Sequence, residues 1–219
     1  MNQRFLSSTF TGTPIIFLHG FLGTAVDWEL VCSYLPDYYC IGFDLPGHGD
    51  TPFTENFTID IPYFHLVGYS MGGRIALSYA KKHPEKIASL TLLSTHPGLK
   101  SAEEKKQRLQ SDAAWADLLL KLPIDEFLLR WYDQSIFKPF VPDLSLRKKQ
   151  DKVELAKALM HYSLAKQPYY DIDGILVGEK DVKFRSLYKN PIIIPKASHM
   201  IHLENPACVA NIIRERISR

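Results

Sequence analysis

The sequence predicts an α/β fold: a mostly parallel central sheet flanked by helices, with a helical cap inserted between two strands. Three observations predict it. Short continuous apolar runs recur along the chain, the pattern of strands buried on both faces. Stretches with helical spacing alternate with them, which makes neighbouring strands parallel with right-handed crossovers. One long charged stretch then contains no strand-like run. The expected division is a core of residues 1–95 and 166–219 and a cap of residues 96–165.

The elements follow in order. Residues 15–18 (IIFL) form the first apolar run and end at His19-Gly20. Residues 40–44 (CIGFD) form the second, closed by Pro46-Gly47-His48-Gly49. Residues 64–67 (FHLV) form the third, and Gly68-Tyr69-Ser70-Met71-Gly72-Gly73 follows at once. Helical spacing begins there, through Ile75, Ala76, Tyr79 and Ala80, and stops near Pro84. Residues 87–94 (IASLTLLS) read as a fourth strand. After His96-Pro97 the texture changes: residues 100–117 are charged and helical, 118–131 amphipathic with a break at Pro123, and 144–165 helical again. Strand texture returns at 174–178 and 191–195, and a last helix spans 206–217. Two connections are short. The segment between Gly49 and Gly68 contains Pro62 and shows no helical period, although a parallel crossover takes roughly a dozen or more residues. The stretch 168–174 before the next strand is short as well.

Composition narrows the function classes. The chain has 219 residues, 46% hydrophobic and 23% charged, the balance of an ordinary globular protein with a sizeable core. A net charge of +2 gives no reason to expect a nucleic-acid or membrane partner. The three cysteines, Cys32, Cys40 and Cys208, are odd in number and lack a C-x-x-C spacing, so neither a disulfide framework nor a metal site is expected. No signal peptide is evident and no apolar run approaches the ~20 residues of a membrane span, so the expected compartment is the cytoplasm. No cofactor is expected.

Gly68-x-Ser70-x-Gly72, set between a buried run and a helix, carries the chemistry. A tight strand-to-helix bend leaves no room for side chains beside the serine, so Ser70 projects alone at a helix N-terminus. This is the nucleophile elbow of the α/β-hydrolase fold, in which the acid and then the histidine follow the serine along the chain. Asp181, just past residues 174–178, is the candidate acid, with Glu179 as the alternative. Asp171 and Asp173 precede that run and belong at its other end. His199, after residues 191–195, is the candidate base, with His202 as its rival. The backbone N–H groups of Met71 and of Phe21, in the loop after the first strand, are the expected oxyanion donors. His19 is read as shaping that loop.

Further segments resemble one branch of this superfamily. His96-Pro97-Gly98-Leu99, Ser111-Asp112 with Trp115, Trp131-Tyr132 with Gln134 and Phe137, Ser163-Leu164-Ala165 with Gln167-Pro168, Lys183-Phe184-Arg185, and His199 with His202 and Glu204-Asn205-Pro206 are similar to the MenH family. Members of that family make 2-succinyl-6-hydroxy-2,4-cyclohexadiene-1-carboxylate (SHCHC) in menaquinone synthesis. The likeness covers most of the chain, cap included. It implies a carbon–oxygen lyase that removes pyruvate from a cyclohexene precursor, with the Ser-His-Asp set acting as a base. Arg74, Arg108 and Arg147 match the family's substrate-carboxylate arginines, in keeping with the bidentate fit of guanidinium to carboxylate. Trp131 and Tyr132 match its cap wall, and Tyr69 completes the expected substrate-binding set. The wider superfamily usually has Gly before the histidine, where this chain has Ser198. The expected partner is a small polycarboxylate substrate, and the chain is expected to be a monomer or a weak homo-oligomer.

Two other readings stand beside it. A carboxylesterase or carbon–carbon bond hydrolase would use the same residues, with Ser70 forming an acyl-enzyme. A non-catalytic ligand-binding receptor could occupy the same scaffold. Relatives with an aspartate nucleophile are set aside, because position 70 is serine.

Overall fold

The structure, a computed structural model, describes residues 2–218. The apolar runs become the middle of one seven-stranded sheet. Its strands are β1 (Gln3–Phe5), β2 (Ile15–Leu18), β3 (Cys40–Phe43), β4 (Phe64–Tyr69), β5 (Ile87–Leu93), β6 (Leu176–Gly178) and β7 (Ile192–Ile194), in spatial order β1-β3-β2-β4-β5-β6-β7. Every pair is parallel except the edge strand β1, which runs antiparallel to β3. That edge strand is exposed and polar at two of its three residues, so no apolar pattern announces it.

Successive strand residues point to opposite faces, and β2 feeds both. Ile15 and Phe17 join a core with Trp28, Leu93 and Val209. Ile16 and Leu18 join a second core with Leu66, Ile75 and Leu77. The first face carries α1 (Glu29–Ser33) and the last helix, α8 (Pro206–Ile217); the second carries α2 (Met71–Lys82). The short connection of residues 44–63 crosses from β3 to β4 without a helix. Ile59, with Phe57 and Ile61 beside it, covers the second face in place of one.

The strand-free stretch holds α3 (Ala102–Lys121), α4 (Ile124–Tyr132) and α5 (Lys152–His161). A capping box between Ser101 and Glu104 starts α3, which runs through the expected boundary at 117 and stops at Leu122, before Pro123. The third stretch is less helical than its period suggested. Regular helix is confined to α5, because Asp151 turns its carboxylate onto the Val153 and Glu154 amides and starts a new helix there. Ala116, Leu119, Phe127, Leu155 and Leu159 make the interior of this stretch, continuous with the first core. Two short helices complete the chain: α6 (Val182–Arg185) after β6 and α7 (Ile201–Glu204) before α8. Among the described residues no helix is long and apolar enough to cross a membrane, and no cluster of three or more His, Cys, Asp or Glu could hold a metal ion.

Candidate active site

Ser70 sits where β4 turns into α2, with φ 51° and ψ −111°. A non-glycine residue there carries roughly 1–3 kcal/mol of strain, held by its surroundings. The surroundings are backbone: a Cβ on Gly72 would lie 2.2 Å from the His19 carbonyl oxygen, and one on Gly68 2.6 Å from that of Gly72. The two glycines are therefore steric requirements of the bend, and Ser70 is left standing at the N-terminus of α2.

The partners come from the loops after β6 and β7, at the carboxyl ends of the parallel strands. His199 places Nε2 3.2 Å from Ser70 Oγ and Nδ1 2.7 Å from Asp181 Oδ2. The second oxygen of Asp181 accepts the Phe184 amide at 3.1 Å and caps α6, so one carboxylate both orients the imidazole and begins a helix. Asp181 and His199 are buried. Glu179 is exposed and turned away, accepting the Lys196 amide. His202 is buried between Trp28 and Tyr69, with ring centroids 4.8 and 4.2 Å away, and neither of its nitrogens has a partner among the described residues. Burial holds its pKa far below the usual imidazole value, helped by Arg147 and His199, so this ring stays neutral. Ser198 binds the Glu204 carboxylate through both its amide and its hydroxyl, at 2.9 and 2.6 Å. Glu204 also accepts the Met200 amide, so it clamps both sides of His199.

The Met71 amide is the first of α2 and has no acceptor within the helix. Phe21 lies in the loop after β2 and contributes to the wall of the Ser70 cavity. His19 builds that loop: its Nε2 accepts the Leu45 amide at 2.9 Å and its Nδ1 bonds the Gly20 carbonyl at 2.7 Å. Burial brings its pKa down to about 4, which keeps the tautomer these bonds require.

Over Ser70 lies a cavity of about 30 Å³, walled by Phe21, Tyr69, Trp131, Tyr132, Phe137 and Arg147 among others. That volume admits little more than a water molecule. Trp131 meets Phe21 and Trp115 edge-on, each at 5.0 Å between ring centres. Arg147 is buried and all three of its nitrogens are engaged. Its Nη2 holds both oxygens of Asp27 at 2.9 and 3.0 Å, Nε donates to the Tyr132 hydroxyl at 2.8 Å, and Nη1 to the Asp143 carbonyl at 2.9 Å. Burial opposes its charge, but Asp27 and then Tyr132 outweigh that and hold its pKa above the ordinary guanidinium value.

Arg74 and Arg108 stand differently. Arg74 makes one long bond, Nη1 to Gln167 Oε1 at 3.5 Å, and burial, then Arg108, lowers its pKa to about 9. Among the described residues, Arg108 gives only Nε to a protein acceptor, Asp112 Oδ1 at 2.8 Å. The Asp112 Oδ2 is buried without a partner among the described residues. The structure thus brings Ser70, His199 and Asp181 together with Phe21, Met71, Tyr69, Trp131, Tyr132 and Arg147, and sets Arg74 and Arg108 to one side. Asp27, Phe137 and Glu204 were not singled out for these contacts; an acid eight residues after His19 is a signal only once Arg147 is seen against it.

Comparison with known proteins bears on the fold and the family. Residues 13–176 match the family model described as alpha/beta hydrolase fold. A 2-succinyl-6-hydroxy-2,4-cyclohexadiene-1-carboxylate synthase of Enterobacter sp. is 35% identical over 240 positions, covering 93% of this chain and 92% of that protein. A protein of Haemophilus influenzae described as a putative synthase of the same name is 35% identical, covering 91% of this chain and 98% of its own length. The alignment of 240 positions exceeds the 219 residues of this chain, so it contains gaps on this side, in keeping with the helix-free crossover at 44–63. The structure of MenH from S. aureus superposes with a TM-score of 0.83 at 26% identity, covering 99% of this chain and 97% of that one.

Proposed function

Because the chain belongs to the α/β-hydrolase fold family and, within it, to the SHCHC synthase (MenH) family, we propose that it is the lyase that eliminates pyruvate from 2-succinyl-5-enolpyruvyl-6-hydroxy-3-cyclohexene-1-carboxylate to give SHCHC in menaquinone biosynthesis. One observation carries this reading. A match covering 93% of the chain necessarily runs through much of the stretch 96–165 that closes over Ser70, the part that meets a substrate.

The triad acts as a base. His199 accepts the Ser70 proton through Nε2, Asp181 holds the ring in the tautomer that can do so, and the Ser70 oxygen removes a ring proton from the substrate. The electron pair released from that C–H bond delocalises onto a substrate carbonyl oxygen facing the Phe21 and Met71 amides. It then returns to form the new ring double bond as the C–O bond to the enolpyruvyl group breaks. The departing enolate takes a proton and becomes pyruvate, and His199 returns to its neutral form. Arg74 and Arg108, with donors to spare, grip substrate carboxylates. Trp131, Tyr132, Tyr69 and Arg147 wall the ring. A cavity of about 30 Å³ is far smaller than a cyclohexene polycarboxylate, so this reading requires the side chains that line it, or the stretch 96–165, to shift for entry.

The same serine and amide pair would also stabilise the tetrahedral oxyanion of ester hydrolysis. The deciding experiment incubates the purified protein with the enolpyruvyl precursor and measures pyruvate. Stoichiometric pyruvate and SHCHC are expected. Absence of pyruvate together with a burst of p-nitrophenol from an ester would replace the lyase with a serine hydrolase. Tight binding of a ligand without turnover, unchanged in Ser70→Ala, would leave a receptor.

A further inference from the structure

His96 lies three residues past the end of β5, between the strands that carry Ser70 and Asp181. Its turn is fixed from several sides. The Gly98 amide donates to His96 Nδ1 at 3.1 Å, and the Tyr170 amide donates to the Pro97 carbonyl at 2.8 Å. Gly98 has φ +116°, and a Cβ there would meet the Pro168 carbonyl at 2.5 Å, so the turn admits no larger residue. The buried Gln167 joins this turn to the elbow helix: its Nε2 donates to the His96 carbonyl at 3.3 Å and its Oε1 accepts from Arg74. The ring meets Phe184 edge-on at 5.9 Å, and Phe184 in turn packs on His199 at 4.5 Å.

With Nδ1 accepting from Gly98, a neutral ring carries its proton on Nε2. The ring is partly exposed, and Nε2 is bonded to no protein group among the described residues. Its charged neighbours are mostly cations. Arg74, Lys183 and Arg108 act on it in that order of strength, and the one acid among the leading influences, Glu104, is engaged by the Ser101 amide and hydroxyl. No carboxylate forms an ion pair with Arg74 or Lys183 among the described residues. Burial, then these cations, lowers the His96 pKa to about 4, so the ring is uncharged at neutral pH. A neutral donor among crowded cations adds a directed hydrogen bond without adding repulsion.

We propose that His96 is a specificity-determining residue: its Nε2–H donates to a substrate carboxylate held by Arg74 and Arg108. This rests on the lyase reading and deepens it by assigning the neutral member of the carboxylate site.

Two variants test it. His96→Phe keeps a ring against Phe184 and removes the donor; His96→Gln restores an N–H close to the Nε2 position. In the pyruvate-release assay His96→Phe is expected to raise KM at least tenfold with kcat within threefold of wild type, and His96→Gln to stay within threefold of the wild-type KM. A fall in kcat at unchanged KM would show disturbance of His199 through Phe184 and overturn the proposal, as would His96→Gln behaving like His96→Phe. Should the wild-type protein release no pyruvate, the lyase reading falls, and calorimetry with phthalate, a rigid dicarboxylate, decides His96 by itself. At least tenfold weaker binding in His96→Phe upholds the carboxylate site; equal affinity, including none in either protein, ends it.

Discussion

Arg108 and Arg147 come from the two ends of the stretch that closes over Ser70, and the structure treats them oppositely. Arg147 is buried with all three nitrogens engaged, locked onto Asp27 in the turn that follows the loop after β2. Arg108 is about a third exposed and commits one nitrogen. The sequence presents the two as equals, both in charge-rich segments. A guanidinium serves as architecture or as a grip according to how many of its five donors the protein has already used. His199 and His202 repeat the contrast three residues apart: both are buried, but one has a proton acceptor, a proton donor and a fixed tautomer, while the other has only ring faces.

The widest separation is expected within the histidine pair. His199→Ala, like Ser70→Ala, should lower kcat by at least ~10³-fold, the scale of losing a triad member. His202→Leu, which removes no hydrogen bond, should leave kcat within an order of magnitude. Steady-state pyruvate release measures both, and a large loss in His202→Leu would break the contrast.

Next is the Arg147 lock. Arg147→Ala leaves Asp27 buried without its counter-ion, and denaturant unfolding should show a loss of about 3–5 kcal/mol. Replacing both partners with apolar residues of similar volume should cost much less. If Arg147→Ala unfolds like the wild type, Arg147 is not architectural and returns to the set that binds substrate.

Acid sharpens the comparison of rings. His19 and His48 have pKa values lowered to about 4 and about 3 by burial first, and His202 is lowered further below its ordinary value. The unfolded chain therefore binds protons from about pH 6.5 that the folded chain refuses until much lower pH. The stability of the neutral rings is fully present above pH 6.5 and is lost as pH falls, by about 1.4 kcal/mol per ring per pH unit. Melting temperature should drop steadily between pH 6.5 and 4.5, and a His48→Phe variant should show a shallower slope. A melting temperature independent of pH in that window would show that the rings are not held neutral.

The smallest effect belongs to Arg108→Ala. It should raise KM about tenfold, the scale of one charge-assisted hydrogen bond, and, because it also removes the counter-ion of the buried Asp112, lower the melting temperature, though by less than Arg147→Ala, which breaks four hydrogen bonds rather than one. Equal effects of Arg108→Ala and Arg147→Ala on both KM and stability would erase the distinction between the two ends.

The sheet and the elbow were legible because their signals are local. A strand buried on both faces reads as an apolar run, and a bend with no space for a Cβ reads as glycine, as Gly68 and Gly72 show. Chain order narrowed the acid to two neighbours and the histidine to two rings. The strand Gln3–Phe5 was not legible, since an exposed edge leaves no apolar pattern, and residues 144–165 misled because their period continues through a side-chain cap at Asp151.

By itself the sequence determined the fold, the placement of a serine on a strained bend, and the resemblance that names a family, because each depends on residues adjacent in the chain or matched along it. Only the tertiary structure puts Asp181 rather than Glu179 against His199, puts His199 rather than His202 against Ser70, and separates an arginine with every nitrogen engaged from one that commits a single nitrogen. Those choices turn on distances of about three ångströms between residues up to 129 positions apart. No local pattern records such distances, because they are set by how the loops at the sheet's carboxyl end and the helices above them pack together.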